Sequence, residues 1–226
     1  MRSRHVAMSL AEFRLLPRDP GWKYEYLDGM AHVTPRARFA TVQVGVRSRP
    51  LDPPLPLRRV TRADQEELVA AYVAAFADSV EYCDVAPEEV SRSARENIQA
   101  FCAGGRGEVL PSSCVAIEEA PAHPVGVVAG AALVTRARDG RPLLDMLFVR
   151  PRWQRRGLAT DLVSWSLGEL LTHGETMLRS RYHLANEPSR AWHHRFGFTP
   201  EPDPSARAGQ ESQEARRRRG PSRHVP

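Results

Sequence analysis

The chain has 226 residues, 42% of them apolar and 26% charged, with a formal net charge of +5; that length holds one medium domain with appendages, or at most two small ones. From Arg207 onward six arginines face Glu211 and Glu214, a net +4, so residues 1 to 206 stand near +1 and the main body has no polyanion-binding charge. No apolar run approaches the roughly 18 residues that span a bilayer, no signal-peptide core follows the N-terminus, and Cys83, Cys102 and Cys114 have neither zinc-site spacing nor an even count, so a metal-free cytoplasmic protein is expected.

In chain order, Asp28-Gly29 separates two short runs, Lys23-Tyr24-Glu25-Tyr26-Leu27 and Ala31-His32-Val33, and so predicts a β-hairpin. Residues 41 to 46 alternate as a further strand. Four prolines in residues 50 to 56 predict a stiff linker or extended edge. Residues 57 to 60 read as a short strand. Thr61 with Asp64 then starts a helix in a capping arrangement, and Leu68, Val69, Tyr72, Val73 and Phe76 recur at helical spacing, which predicts a helix over 64 to 77. A second helix starts at Pro87 and runs to about Phe101, where Gly104, Gly105 and Gly107 end it. Residues 114 to 117 and 125 to 134 read as strands, and 143 to 149, almost all apolar, as a strand covered on both faces. Leu158, Leu162, Val163, Leu167, Leu170 and Leu171 form one stripe of a helix that His173-Gly174 terminates. A strand over 177 to 184 and a short helix over 188 to 195 follow. The pattern is α/β (α+β), with a mixed or mainly parallel sheet flanked by helices. It divides into an extension (1 to 50), a linker (51 to 56), a main domain (57 to 204) and an Arg-rich tail (205 to 226) with almost nothing to bury, expected to be disordered.

The most informative stretch is Val149-Arg150-Pro151-Arg152-Trp153-Gln154-Arg155-Arg156-Gly157-Leu158-Ala159-Thr160. A buried strand ends there, a turn follows, and a helix starts with Gly157 and Ala159 flanking Leu158. Free N–H groups at a helix N-terminus, with the helix dipole, favour a phosphate; small residues admit it closely, and Arg155 or Arg156 can add charge-assisted bonds.

These residues resemble the GNAT superfamily of acyl-CoA-dependent N-acyltransferases, whose phosphate turn reads Gln/Arg-x-x-Gly-x-Gly/Ala; Gln154, Gly157 and Ala159 fill its fixed positions. Leu147-Phe148-Val149-Arg150-Pro151 is similar to the family's strand ending, and Asn186 stands eleven residues before Gly197-Phe198, as the family's asparagine does. The resemblance spans residues 57 to 198 and is specific from about 141. It implies a GNAT-like fold and acetyl-CoA held in a V-shaped gap between strands 143 to 149 and 177 to 184. Leu147 and Val149 would bind the pantetheine, an N–H near Leu147 or Phe148 would face the thioester oxygen, the amides of Arg155, Arg156, Gly157, Leu158, Ala159 and Thr160 would hold the pyrophosphate, and Asn186 would be the family's asparagine. It also implies acetyl transfer by direct attack of a primary amine. Asp145, on the cofactor strand, is the first candidate base, although it serves equally as a salt-bridge partner; Glu81, Glu118 or a water relay are alternatives. Where many relatives carry a tyrosine acid, this chain has His193, which fits that role or simply lines a short helix.

The chain departs from the pattern after Gly-Phe, where the family's closing strand begins. Three prolines in residues 199 to 204 disfavour a full strand, so either that strand is a stub or the stretch from Tyr24 to Val46 covers the edge. Other readings are a GNAT-fold acyl-CoA-binding protein with impaired catalysis, and nucleic-acid binding through Arg216, Arg217, Arg218 and Arg219, which lacks interleaved aromatics. The hairpin resembles that of some restriction-endonuclease-like proteins, without their second acidic cluster and lysine. Expected partners are a small-molecule or peptide amine and a second copy in a homodimer, with no membrane.

Overall fold

The two-residue turn at Asp28-Gly29 is present, with φ of 48° and 78°, the left-handed pair that matches hairpin twist. It joins β2 (Trp22–Leu27) to β3 (Met30–Pro35). Ahead of them lie β1 (Arg4–Ala7) and a short helix, α1 (Leu10–Leu15), capped by Ser9 and Glu12. The three strands form a small antiparallel sheet in the order β1-β3-β2. β1 and α1 carry no strong sequence signal and were not expected. This computed structural model describes residues 3 to 120 and 123 to 202; the Arg-rich stretch from 205 to 226 lies outside the described residues.

A second sheet contains β4 (Phe39–Gly45), β5 (Leu57–Arg59), β6 (Glu108–Val109), β7 (Cys114–Ala120), β8 (His123–Arg136), β9 (Pro142–Val149), β10 (Met177–His183) and β11 (Thr199–Pro200). Its order is β11-β4-β10-β9-β8-β7-β5, with β6 on β8. Among the described residues only β9 and β10 run parallel; the other pairs of this sheet are antiparallel. Helices α2 (Gln65–Phe76) and α3 (Pro87–Cys102) cover one face, where Leu68, Tyr72, Ile98 and Phe101 pack on Val115, Leu133 and Phe148. Helices α4 (Leu158–Thr172) and α5 (Glu187–Phe196) cover the other, where Leu158, Leu162, Leu167 and Phe196 pack on Val42, Val44, Ala132 and Leu178. The expected helix at 64 begins one turn early as a 3-10 turn: Thr61 donates to Asp64 from its N–H (2.7 Å) and hydroxyl (3.0 Å).

The closing strand is a stub, because β11 has two residues and Pro200 lacks the N–H to continue it. The vacant place beside β10 is filled from the other end of the chain. β4 pairs antiparallel with β10 from Met177↔Gly45 through His183↔Phe39, and Val42 and Val44 point into the core, each 5% exposed. The sheet therefore includes part of the stretch read as an extension. The proline-rich stretch then crosses the α4–α5 layer to the far edge. Arg49 lies over the Phe196 ring at 4.0 Å, the Asp52 N–H donates to Asp161 at 3.4 Å, and Pro56 accepts from the Ile117 N–H at 3.0 Å.

Candidate active site

β9 and β10 pair only at Arg179↔Leu143 and Ser180↔Leu144. Beyond these the strands separate, and the β9 edge from Asp145 to Val149 has no partner strand on that side among the described residues. A β-bulge promotes the separation: Leu133 faces Met146 and Val134 faces Leu144, so Asp145 is the extra residue. His193 fixes the base of the fork. Its Nε2 is 2.9 Å from the Ser180 hydroxyl and its Nδ1 2.8 Å from the Ser189 carbonyl oxygen. A carbonyl only accepts, so Nδ1 carries the proton and Nε2 accepts from Ser180.

At the open end of β9 the chain makes a 3-10 turn (Pro151–Trp153), held by Gln154 Nε2 donating to the Val149 carbonyl at 3.0 Å. Arg155 (φ 58°) and Gly157 (φ 87°) then adopt left-handed conformations and α4 starts. Thr160 and Asp161 donate back to the Gly157 carbonyl, at 2.7 and 3.1 Å. The N–H groups of Arg155, Arg156, Gly157, Leu158 and Ala159 have no acceptor among the described residues. Successive free amides in such a turn form an anion nest, reinforced by the dipole of α4. A Cβ on Gly157 would approach only Asp161 Oδ2, at 3.7 Å, so the cradle is open in front of it. Arg155 and Arg156 have no carboxylate partner among the described residues, and Arg156 lies over Trp153 at 5.2 Å.

On the α2–α3 side, Tyr72 packs edge-on against Phe148 (5.5 Å between ring centres) and beside Phe76 (4.5 Å). Its hydroxyl is 3.0 Å from that of Tyr82, which is 2.9 Å from Ser93 Oγ. Burial, then the neighbouring Tyr82, push the Tyr72 phenol well above its ordinary value, so it stays protonated. Glu81, on the 3-10 turn Val80–Tyr82, accepts from Asn186 Nδ2 at 2.8 Å through Oε1. Its Oε2 is buried without a partner among the described residues. An orphaned carboxylate oxygen is costly inside a protein, and this one has an open lone pair to offer a water or a proton donor.

The family model described as "Acetyltransferase (GNAT) family" matches residues 67 to 198, more than half the chain. The chain belongs to the GNAT acetyltransferase family. The curated proteins contain no match to it. Among solved structures it is similar to the PaiA N-acetyltransferase of Thermoplasma acidophilum in complex with coenzyme A: TM-score 0.54 and 15% identity, over 67% of this chain and 94% of that one. A protein of Pyrococcus horikoshii gives 0.51 and 14%, over 66% and 91%. A GCN5-related N-acetyltransferase of Sphaerobacter thermophilus gives 0.47 and 17%, over 72% of this chain and 48% of that one, so the chain spans about half of that protein's length. At these identities the likeness is one of fold.

Of the residues expected from sequence to contact a cofactor, Leu147, Phe148 and Val149 lie on the unpaired edge of β9, and residues 154 to 160 form the turn and the start of α4. Asn186 stands at the N-cap of α5, accepting from the Ser189 N–H at 2.9 Å, with its amide nitrogen on Glu81. The two catalytic candidates are otherwise engaged. Asp145 accepts two bonds from Arg106, at 2.5 and 2.8 Å, as the salt bridge that was its alternative reading. Glu118 is taken by Arg152 and the Trp153 indole. His193 is 4% exposed with both nitrogens bonded. Sequence reading missed Arg106; its only signal was a lone arginine inside Gly104-Gly105-Arg106-Gly107. Among the described residues no group of three or more His, Cys, Asp or Glu side chains could hold a metal ion, and no helix is long and apolar enough to cross a membrane.

Burial holds His193 below its ordinary value of 6.5, with the bond to Ser189 acting the other way. A depressed histidine protonates first in the unfolded chain, so its contribution to stability is full above about pH 6.5 and is lost as pH falls from there through the lower folded value. The melting temperature is expected to fall on acidification below about pH 6.5, and more steeply than in a His193→Gln variant. Thermal melts across that range check this; parallel curves would remove the buried neutral histidine as a source of acid sensitivity.

Proposed function

We propose that the protein is an acetyl-CoA-dependent N-acetyltransferase acting on a primary amine. The observation that carries this reading is the row of free amides from Arg155 to Ala159 beside the unpaired edge of β9. Free N–H groups beside the N-terminus of α4 suit the negative charge of a pyrophosphate, and the free strand edge suits the amides of pantetheine, so the residues present suit coenzyme A. The acetyl thioester is the donor. Residues 154 to 160 would hold its phosphates, the edge from Asp145 to Val149 its pantetheine, and an N–H near Leu147 or Phe148 its carbonyl oxygen.

Direct transfer fits the thiols. Burial pushes the Cys114 thiol up to about 12, and burial with Asp84 raises that of Cys83. Burial likewise raises Cys102. None is a thiolate suited to carrying an acyl group at neutral pH. The amine nitrogen attacks the acetyl carbonyl carbon, the C–S bond breaks, and the nitrogen's proton must leave. In this reading Glu81 Oε2 receives it, directly or through water, because Asp145 and Glu118 are spent on cationic or indole partners. Tyr72, a permanent donor, and Phe76 line the acceptor side. His193 acts by holding the fork shut at Ser180, and the leaving sulfur takes its proton from solvent.

Positioned bases contribute about 10²- to 10⁴-fold. Glu81→Gln keeps the bond to Asn186 and is expected to lower kcat for amine acetylation at least ~100-fold with acetyl-CoA affinity nearly unchanged. The whole reading is tested by a thermal-shift titration with acetyl-CoA followed by thiol release over amine classes. Stabilisation without thiol release for any amine would leave a coenzyme-A-binding protein; no stabilisation would remove the transferase reading.

A further inference from the structure

The small N-terminal sheet meets the 80-to-82 turn and the loop after β10 through Gly21 and Trp22, and just ahead of β1 the Ser3 hydroxyl donates to Asp84 at 2.6 Å. The Gly21 backbone lies so close to the loop after β10 that a Cβ there would stand 2.5 Å from the Ala185 nitrogen and 2.7 Å from the Leu184 carbonyl carbon. Next to it, Trp22 is 6% exposed and forms a separate apolar cluster with Val80 and Ala185, backed by Tyr24 and Val33. Val80 and Ala185 are the chain neighbours of Glu81 and Asn186, whose side chains meet at 2.8 Å. Asp19 locks the contact, accepting from the Gly21 N–H at 2.8 Å and pairing with Arg190 of α5 at 3.1 Å. The turn at 80 to 82 and the loop at 184 to 186 are about a hundred residues apart in sequence. One side-chain bond between two segments so far apart in sequence opens easily without packing behind it.

We propose that Trp22 is a positioning residue that wedges these two segments together and so holds Glu81 toward the incoming amine. The N-terminal sheet is then one wall of the acceptor side, outside the family-matched residues. This rests on the transferase reading, and its test has an arm that does not.

In that arm, hydrogen exchange of the full chain is compared with that of Trp22→Ala. Faster exchange is expected at 80 to 85 and 184 to 187, with α4 unchanged; unaltered exchange there, or a rise throughout the chain, overturns the brace. In the second arm Trp22→Ala lowers kcat/KM for the amine about tenfold or more while acetyl-CoA affinity moves less than about twofold, and Trp22→Phe restores most of the loss. Trp22→Ala combined with Glu81→Gln is expected to be no worse than Glu81→Gln alone, since two residues acting through one group are not additive. Additive losses would give Trp22 a separate role and overturn the proposal. Should Trp22→Ala fail to fold, Val80→Ala trims the same contact from the other side and is expected to shift both readouts in the same direction. Absence of turnover in the parent protein would defeat the transferase reading alone, with hydrogen exchange still deciding the brace.

Discussion

A chain beginning at Leu51 is expected to lose cooperative folding altogether, although it retains every residue matched to the family. β4 gives β10 its antiparallel neighbour along its full length, and it also carries the β11 stub. Removing it strips Val42 and Val44 from the core around Leu178 and Phe198. Full burial of a valine contributes about 1.5–3 kcal/mol, so the two account for roughly 3–6 kcal/mol against a typical total of about 5–15. The bare edge of β10 would add unpaired backbone groups and an aggregation-prone surface. The measurement is a circular-dichroism melt of the truncated chain; a sharp transition with retained acetyl-CoA binding would show that β4 is an ornament. Val44→Asp tests the same contact in a full-length chain, where burying an unpaired carboxylate is expected to cost about 3 kcal/mol or more.

Gly157→Glu is expected to abolish acetyl-CoA binding while the chain remains folded. Position 157 lies at φ 87°, where any side chain is strained by about 1–2 kcal/mol, and the glutamate would place a negative charge over the nest. Hydrogen bonds to charged groups contribute about 1.5–3 kcal/mol each, so losing two of them weakens affinity by roughly 10²- to 10⁴-fold. Gly157→Ala carries the strain without the charge and keeps the amides, so it is expected to lose far less affinity. Calorimetric titration with acetyl-CoA separates the two. Binding by Gly157→Glu comparable to the parent would move the phosphate site elsewhere.

The legible parts of this protein are those whose physics is local. Asp28-Gly29 demands left-handed backbone, so the hairpin could be read directly. The strand, turn and helix from Leu143 to Leu171 follow from apolar spacing and from Gly157 and Gly174. The turn with its free amides is built from consecutive residues, and the prolines after Phe198 announce a strand that cannot continue. Asp145 and His193 were a different matter. Their residue types suit proton transfer, but a residue type does not name its partner: Arg106 arrives from a glycine loop 39 positions away, and Ser180 from the strand beside α5. The free oxygen of Glu81 is visible only once the neighbouring carboxylates are seen to be occupied.

The sequence by itself determined the β2–β3 hairpin, the strand, turn and helix from Leu143 to Leu171 and the weakness of the C-terminal strand, because dihedral preference, capping and side-chain periodicity act within a few residues. Tertiary structure alone decided that β4 takes the place beside β10, that Trp22 meets Val80 and Ala185, and which carboxylate keeps an open oxygen. Strand pairing and side-chain partnership depend on which distant groups share a neighbourhood, and backbone hydrogen bonds are the same whichever strand supplies them.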